Sequence, residues 1–208
     1  KSMWTNEEPP LYEGAIGKIV DIHEYLEKMN RLELAMTQDS LTGLLNHNVA
    51  KNKISSLLSE EEGKKYILLL IDIDNFREAN DEYGHQSGDE ILQYIANTIK
   101  NSIRSADIAA RMGGDEFLIF MEYKDTTKPQ VERVFHKLRG KYKEFDISVS
   151  MGIASSEDCK QREYDTLFQM ADKALHTAKH NGGHSYYFYD ETIEAVWETK
   201  FSQQQYKQ

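Results

Sequence analysis

The sequence predicts an α+β fold, a mixed central β-sheet flanked by helices, and three observations carry that expectation. Apolar runs of strand length alternate with segments of helical period along most of the 208 residues. The run over 66–73 (Y-I-L-L-L-I-D-I) is apolar at nearly every position, as a strand buried on both faces should be. Gly113 and Gly114 stand between a segment at 107–112 and an apolar run at 117–123. That is a hairpin signal, because glycine reaches positive φ at no steric cost.

The elements follow in order. Residues 1–13 are polar and carry Pro9-Pro10, which predicts loop. Residues 15–22 (A-I-G-K-I-V-D-I) read as a strand. From Ile22 onward, Tyr25, Met29, Leu32 and Met36 recur at alternating spacings of three and four. This seam suits pairing with a second copy, and equally the apolar face of an ordinary amphipathic helix. Residues 39–46 break that helix and open another to about Leu58, and 60–65 (E-E-E-G-K-K) form a solvated connection. Strand 66–73 ends in Asp72, with Asp74 just beyond. An acid there is costly unless it is paired or bound to a metal.

A short helix over 75–84 closes on Gly84, and a longer one after Asp89 carries Ile91, Ile95, Ile99 and Ile103 on one stripe. Residues 128–144 read as a helix with Val131, Val134, Phe135 and Leu138 inward, and 145–154 as a strand. A helix over 164–181 turns Leu167, Ala171, Ala174, Leu175 and Ala178 inward and stops at Gly182-Gly183. A last strand spans 185–189, and the tail from Glu191 has room for one more helix. One antiparallel hairpin inside alternating strands and helices is a ferredoxin-like layout.

Composition bounds the function. A net charge of −10 argues against a groove binder of nucleic-acid polymers, which would present a basic face. It leaves room for a nucleotide, since Mg²⁺ bridges acidic residues to phosphates. The lone cysteine, Cys159, excludes an internal disulfide and fits a reducing cytosol, so a cytoplasmic location is expected. No apolar run reaches the roughly eighteen residues that cross a bilayer. The chain starts at Lys1 rather than Met, which reads as a piece of a longer protein with any sensor or membrane segment upstream. Directly after the glycine turn stand Asp115 and Glu116. Such a turn suits divalent cations beside a ligand whose phosphates approach backbone; taken alone, it is equally a solvated Gly-Gly-Asp loop.

Six motifs now agree in order and spacing: D-S-L-T-G-L-L-N at 39–46, L-L-L-I-D-I-D-N-F at 68–76, N-D-E-Y-G-H-Q-S-G-D at 80–89, G-G-D-E-F at 113–117, S-M-G-I-A at 150–154 and A-D-K-A-L-H-T-A-K at 171–179. On these the chain resembles a GGDEF domain, the catalytic domain of diguanylate cyclases, over roughly 37–190. Residues 1–36 would be a linker with a signalling helix, and 191–208 a tail. Residues 15–24 resemble the closing strand of a PAS sensor domain.

The resemblance implies a nucleotidyl-cyclase palm fold that binds GTP with two Mg²⁺ or Mn²⁺ per active site. Two copies would meet as a homodimer to join two GTP into cyclic di-GMP. Asp72, the Ile73 carbonyl and Asp115 match the metal ligands, and Gly113 and Gly114 the close approach to phosphate. Amides near Phe76 and Arg77 match the β- and γ-phosphate contacts, Lys179 another phosphate contact, and Asn80 and Asp89 the guanine contacts. Asp115 or Glu116 would assist deprotonation of the attacking hydroxyl; the sequence does not separate them. Arg104 and Asp107 match the R-x-x-D site where cyclic di-GMP inhibits. Taken singly, Asp89 is also a helix-capping acid, Lys179 a complement to a helix dipole, and Arg104 and Asp107 a helix end and a strand start.

Three departures qualify the match. His47 and Asn48 stand where the family carries two arginines, Gly183 where it has an arginine on the terminal phosphate, and His176 where it has tyrosine. His176 is a matter of packing; a catalytically weak receptor of GTP or cyclic di-GMP is the alternative that His47, Asn48 and Gly183 raise.

Overall fold

The structure is a computed structural model, and it describes residues 2–10, 12–15, 22–60, 63–143, 145–193 and 195. The chain divides into two compact units, Lys1–Met36 and Thr37–Gln208.

In the first unit, β1 (Ser2–Trp4) pairs antiparallel with β2 (Tyr12–Ala15). The loop expected over 1–13 is thus a hairpin, with the proline pair confined to its connection. Of the strand expected over 15–22, residues 16–21 lie outside the described residues, as does most of the PAS-like stretch. Helix α1 (His23–Thr37) follows, and Tyr25, Leu26, Met29 and Met36 on it are exposed.

The second unit is built on a six-stranded mixed sheet. In chain order come β3 (Leu45–Asn46), α2 (His47–Glu60), β4 (Lys65–Ile73), α3 (Phe76–Tyr83) and α4 (His85–Lys100). Then come β5 (Ile108–Gly113), β6 (Glu116–Tyr123), α5 (Lys128–Lys137), β7 (Gly140–Tyr142), β8 (Phe145–Ile147), β9 (Val149–Ser155), α6 (Tyr164–His180) and β10 (Tyr186–Phe188). The sheet order is β10-β9-β4-β6-β5-β3. β4 runs antiparallel to both β6 and β9, while β10–β9 and β3–β5 are parallel. This is the α+β palm layout that the sequence predicts.

Strand β4 lies at the centre, and its two faces explain the rest. Ile67, Leu69, Ile71 and Ile73 point to one side, where Ile91, Ile95 and Ile99 of α4 and Val131, Val134 and Phe135 of α5 complete a core. Tyr66, Leu68 and Leu70 point to the other side, against Ile54 and Leu58 of α2 and Leu167, Ala171 and Leu175 of α6. Truncating such a side chain to alanine costs about 2–5 kcal/mol. Side chains alternate along a strand, so residue 72 falls on the α2–α6 face, one step past Leu70.

Three further expectations are corrected. The helix expected over 128–144 ends at Lys137, and 140–147 form a separate hairpin with Lys143 at φ 51 in its turn. Gly140 lies against Tyr94 of α4, where an added Cβ would come 2.7 Å from the Tyr94 hydroxyl. The strand expected over 145–154 is accordingly two strands, broken at Ser148. Helix α4 begins at His85 rather than after Asp89, and Ile103 lies beyond its end.

Candidate functional site

Asp72 ends the apolar run of β4 and is 5% exposed. Its register partners are Glu116 on β6 and Ser150 on β9. Lys179, in the last turn of α6, places Nζ 2.6 Å from Asp72 Oδ2. Burial pushes the Asp72 carboxyl up to about 6 from its ordinary 3.8. The Lys179 hydrogen bond pulls it down, while the charges of Asp115 and Glu116 push it further up. Lys179 thus pairs with Asp72, while the charges of Asp115 and Glu116 stand against the same buried carboxylate. The donor set of Asp72, Asp115 and the Ile73 carbonyl is all hard oxygen, which fits Mg²⁺ or Mn²⁺. Among the described residues, no group of three or more His, Cys, Asp or Glu side chains converges tightly enough to hold a metal unaided. Backbone and ligand oxygens would have to complete any shell.

Asp115 and Glu116 reach this place through the β5–β6 turn. Gly113 has φ 147 and Gly114 φ 53, conformations that side-chain-bearing residues rarely adopt. Open space lies beside both glycines, so backbone conformation is what requires them in the free chain. Asp115 is half-buried and its carbonyl accepts from the Ile73 amide at 3.4 Å; Glu116 is exposed.

The other expected residues group into two places. Phe76 and Arg77 open α3 directly after the β4 end, preceded by Asn75 at φ 56. Asn80 donates from Nδ2 to the Phe76 carbonyl at 3.1 Å, and its carboxamide lies where a Cβ on Gly88 would be. The next residue, Asp89, is exposed in the second turn of α4, which removes the capping alternative. Asn80 and the Asp89 segment thus meet across α3 and α4.

Arg104 and Asp107 stand apart, ahead of β5, whereas the glycine turn follows it. Six strand residues put the two ends roughly 20 Å apart. Asp107 Oδ2 accepts from the Arg104 amide at 2.7 Å, which folds R-x-x-D into a turn. Helix α4 has already ended at Lys100, so Arg104 does not terminate it. Burial raises the Asp107 carboxyl, and the Arg104 charge opposes that rise. Both residues line a cleft of about 770 Å³ with Lys53 and Lys100.

At the departures from the family pattern, His47 stacks near Phe168, with ring centroids 6.4 Å apart. Gly183 has φ 73, and a Cβ there would lie 3.0 Å from Asp74 Oδ1. His176 stacks on His180 along α6, with ring centroids 6.3 Å apart.

Two supporting contacts escape sequence reading. The Arg111 guanidinium donates to the Gly114 carbonyl at 3.0 and 2.7 Å and meets both Asp39 oxygens at 3.2 and 3.3 Å. It braces the glycine turn against the segment after α1. Asp74 accepts from Ser148, Ser150 and the His184 amide. The alternation in D-I-D signalled that Asp72 and Asp74 share a side, but their partners lie 72 to 110 residues from them or from Arg111.

Comparison with known proteins adds the family context. A family model described as diguanylate cyclase, GGDEF domain, matches residues 36–185. Diguanylate cyclase DgcS of Shewanella oneidensis is 33% identical over 168 residues, which are 77% of this chain and 56% of that protein. Diguanylate cyclase DosC of Escherichia coli K12 is 32% identical over 173 residues, 77% of this chain and 36% of that protein. The chain thus spans about a third to just over half of these relatives. The GGDEF domain of DgcB from Caulobacter crescentus, solved in complex with c-di-GMP, superposes with a TM-score of 0.66 at 27% identity, covering 73% of this chain and 95% of that one.

Proposed function

The chain belongs to the GGDEF family of diguanylate cyclase domains, and on that premise we propose that it condenses two GTP into cyclic di-GMP and pyrophosphate. The observation that carries the reading is the buried Asp72 carboxylate, held up to about 6 with Asp115 and Glu116 beside it and Lys179 as partner.

Asp72, the Ile73 carbonyl and Asp115 would hold two Mg²⁺ or Mn²⁺ with the triphosphate oxygens. Bound there, the metals neutralise phosphate charge and lower the pKa of the attacking hydroxyl. Lys179 would leave Asp72 for a phosphate oxygen once metal balances the acid. The amides that open α3 at Phe76 and Arg77 would receive the β- and γ-phosphates, since unpaired N–H groups at a helix start favour anions. Asn80 and Asp89 would hydrogen-bond the guanine edge. Adenine lacks the N1–H and 2-amino donors and would leave Asp89 unpaired. Asp115 or Glu116 would take the proton from the ribose 3′-hydroxyl as it attacks the α-phosphate of the second GTP.

One glycine turn serves one GTP, so the reaction needs a second copy offering its own nucleotide face to face. The exposed apolar residues of α1 supply a seam for that homodimer. Arg104 and Asp107 would hold the product cyclic di-GMP in their cleft. An upstream sensor would set the pairing of the two copies. No helix among the described residues is long and apolar enough to cross a membrane.

A second reading rests on the same cleft and on Gly183, where the family's phosphate-anchoring arginine is absent. A catalytically weak domain would then act as a cyclic di-GMP receptor through Arg104. Incubation with GTP and Mg²⁺, read by mass spectrometry, separates the two. Cyclic di-GMP from GTP, and no cyclic dinucleotide from ATP, is expected. Folded protein that binds cyclic di-GMP yet forms none from GTP would establish the receptor reading instead.

A further inference from the structure

Two residues past Asp72, the carboxylate of Asp74 is held from two parts of the chain. Oδ1 accepts from Ser150 Oγ at 2.6 Å. Oδ2 accepts from Ser148 Oγ at 3.0 Å and from the His184 amide at 3.1 Å, with His184 Nδ1 3.5 Å away. The Asp74 side chain is 8% exposed and Ser150 is wholly buried. A carboxylate this enclosed persists only when its acceptor positions are filled, and here the donors come from the β9 end of the sheet and from the loop after α6.

That loop is unusual. Gly182, Gly183 and His184 have φ of 104, 73 and 51, three successive positive values. A residue with a side chain stays in that region only when its surroundings hold it there. For His184 the surroundings are Asp74, bonded to its amide and facing its ring. Gly183 leaves the room, because a side chain there would press on the same carboxylate. The loop starts directly after α6, whose last turn carries Lys179 onto Asp72. Both ends of this arrangement, Asp72 and Asp74, thus fix the C-terminal end of α6 against β4.

We infer that Asp74 is a positioning residue for triphosphate recognition: by clasping the 182–184 loop it holds Lys179 at the acid end of β4. The inference rests on the reading above that Lys179 meets a phosphate. It acts through Lys179 and needs no contact between Asp74 and the nucleotide. A displaced cationic group is costly because charge-assisted contacts depend steeply on geometry.

The test uses Asp74→Asn, which keeps the shape but places an amide N–H₂ against a donor, and Ser150→Ala, which removes one donor from the opposite side. Calorimetry with a non-hydrolysable GTP analogue and Mg²⁺ measures affinity, alone and combined with Lys179→Ala. Asp74→Asn should weaken binding roughly tenfold, as expected for loss of a charge-assisted contact. The double variant should bind no worse than Lys179→Ala alone, because the two act as one unit. Additive losses would overturn the positioning role. Amide hydrogen exchange on the nucleotide-free protein is the second arm. Both variants should speed exchange at residues 181–185 while leaving β4 and β6 protected; unchanged exchange there overturns the clasp itself. Wild-type protein that binds no GTP analogue overturns the functional reading and the positioning role with it, and the exchange result then still decides whether the clasp exists.

Discussion

The two ends of the central strands carry similar groups in opposite electrostatic states. At one end Asp72 pairs with Lys179 beside the charges of Asp115 and Glu116, and burial drives the Asp72 carboxyl up to about 6. At the other end Glu157 accepts from Tyr123 at 2.6 Å and pairs with Lys65 at 2.7 Å, and the Lys65 hydrogen bond draws its carboxyl below the usual range. Ser155 completes that network on the Tyr123 hydroxyl. The far end is a satisfied surface network, which contributes little. The near end keeps one buried carboxylate beside two further acids, a cost that fold stability alone gives no reason to retain. That difference is the contrast on which the proposed metal–triphosphate site rests.

The largest break in this comparison is expected from Asp115→Asn. It removes a charged ligand from the near end, and product formation should fall by about a thousandfold or more while the circular dichroism spectrum is unchanged. Well-folded protein with wild-type turnover would return the turn to a solvated loop.

The next effect is on stability. Asp72 has a folded pKa near 6 against 3.8 when exposed, so the folded state binds the proton more tightly. Its contribution to stability is therefore lost as pH rises from about 4 to 6, and the penalty stays constant above that window. Asp72→Asn should stabilise the metal-free protein at pH 8 by on the order of 2–3 kcal/mol, and by nothing below about pH 4. Urea unfolding at the two pH values measures this, and equal effects at both would contradict the cause assigned to the shift.

Arg104→Ala tests whether the cleft ahead of β5 is a separate ligand site. Affinity for cyclic di-GMP should drop about tenfold or more, for the loss of one charge-assisted donor. Binding of a GTP analogue should be untouched, because the proposed GTP site is at the other end of β5. Calorimetric titration with each ligand checks both halves of the expectation.

The smallest effect is expected at the satisfied end. Glu157→Gln should leave cyclic di-GMP synthesis unchanged and move the melting temperature by no more than about two degrees. A loss of activity there would erase the contrast between the two ends.

What the sequence revealed follows the reach of each interaction. β4 and the inward stripes of α4 and α6 were legible because burial imposes a local period on Leu68–Leu70, Ile91–Ile99 and Leu167–Ala178. Residues 140–147 were not: Lys141, Tyr142 and Lys143 fit a helix locally, and the close approach of Gly140 to Tyr94 and the positive φ of Lys143 leave no local pattern. At the site, Asp72 and Asp115 were legible as acids at the end of an apolar run and after a glycine turn. Asp74 and Arg111 were not, because their partners at His184, Ser150 and Asp39 are fixed by tertiary packing and leave no local pattern. The capping alternative for Asp89 gave way only once α4 was seen to start at His85, four residues ahead of it.

The most direct measurement is the thermal shift on adding Mg²⁺ with a non-hydrolysable GTP analogue, for wild type and Asp72→Asn side by side at pH 8. Wild type should start lower and rise on addition, since ligand and metal bind only the folded state. Asp72→Asn should start higher and show almost no rise. A variant that keeps the full ligand-dependent shift would contradict the assignment of the buried carboxylate end as the metal–triphosphate site.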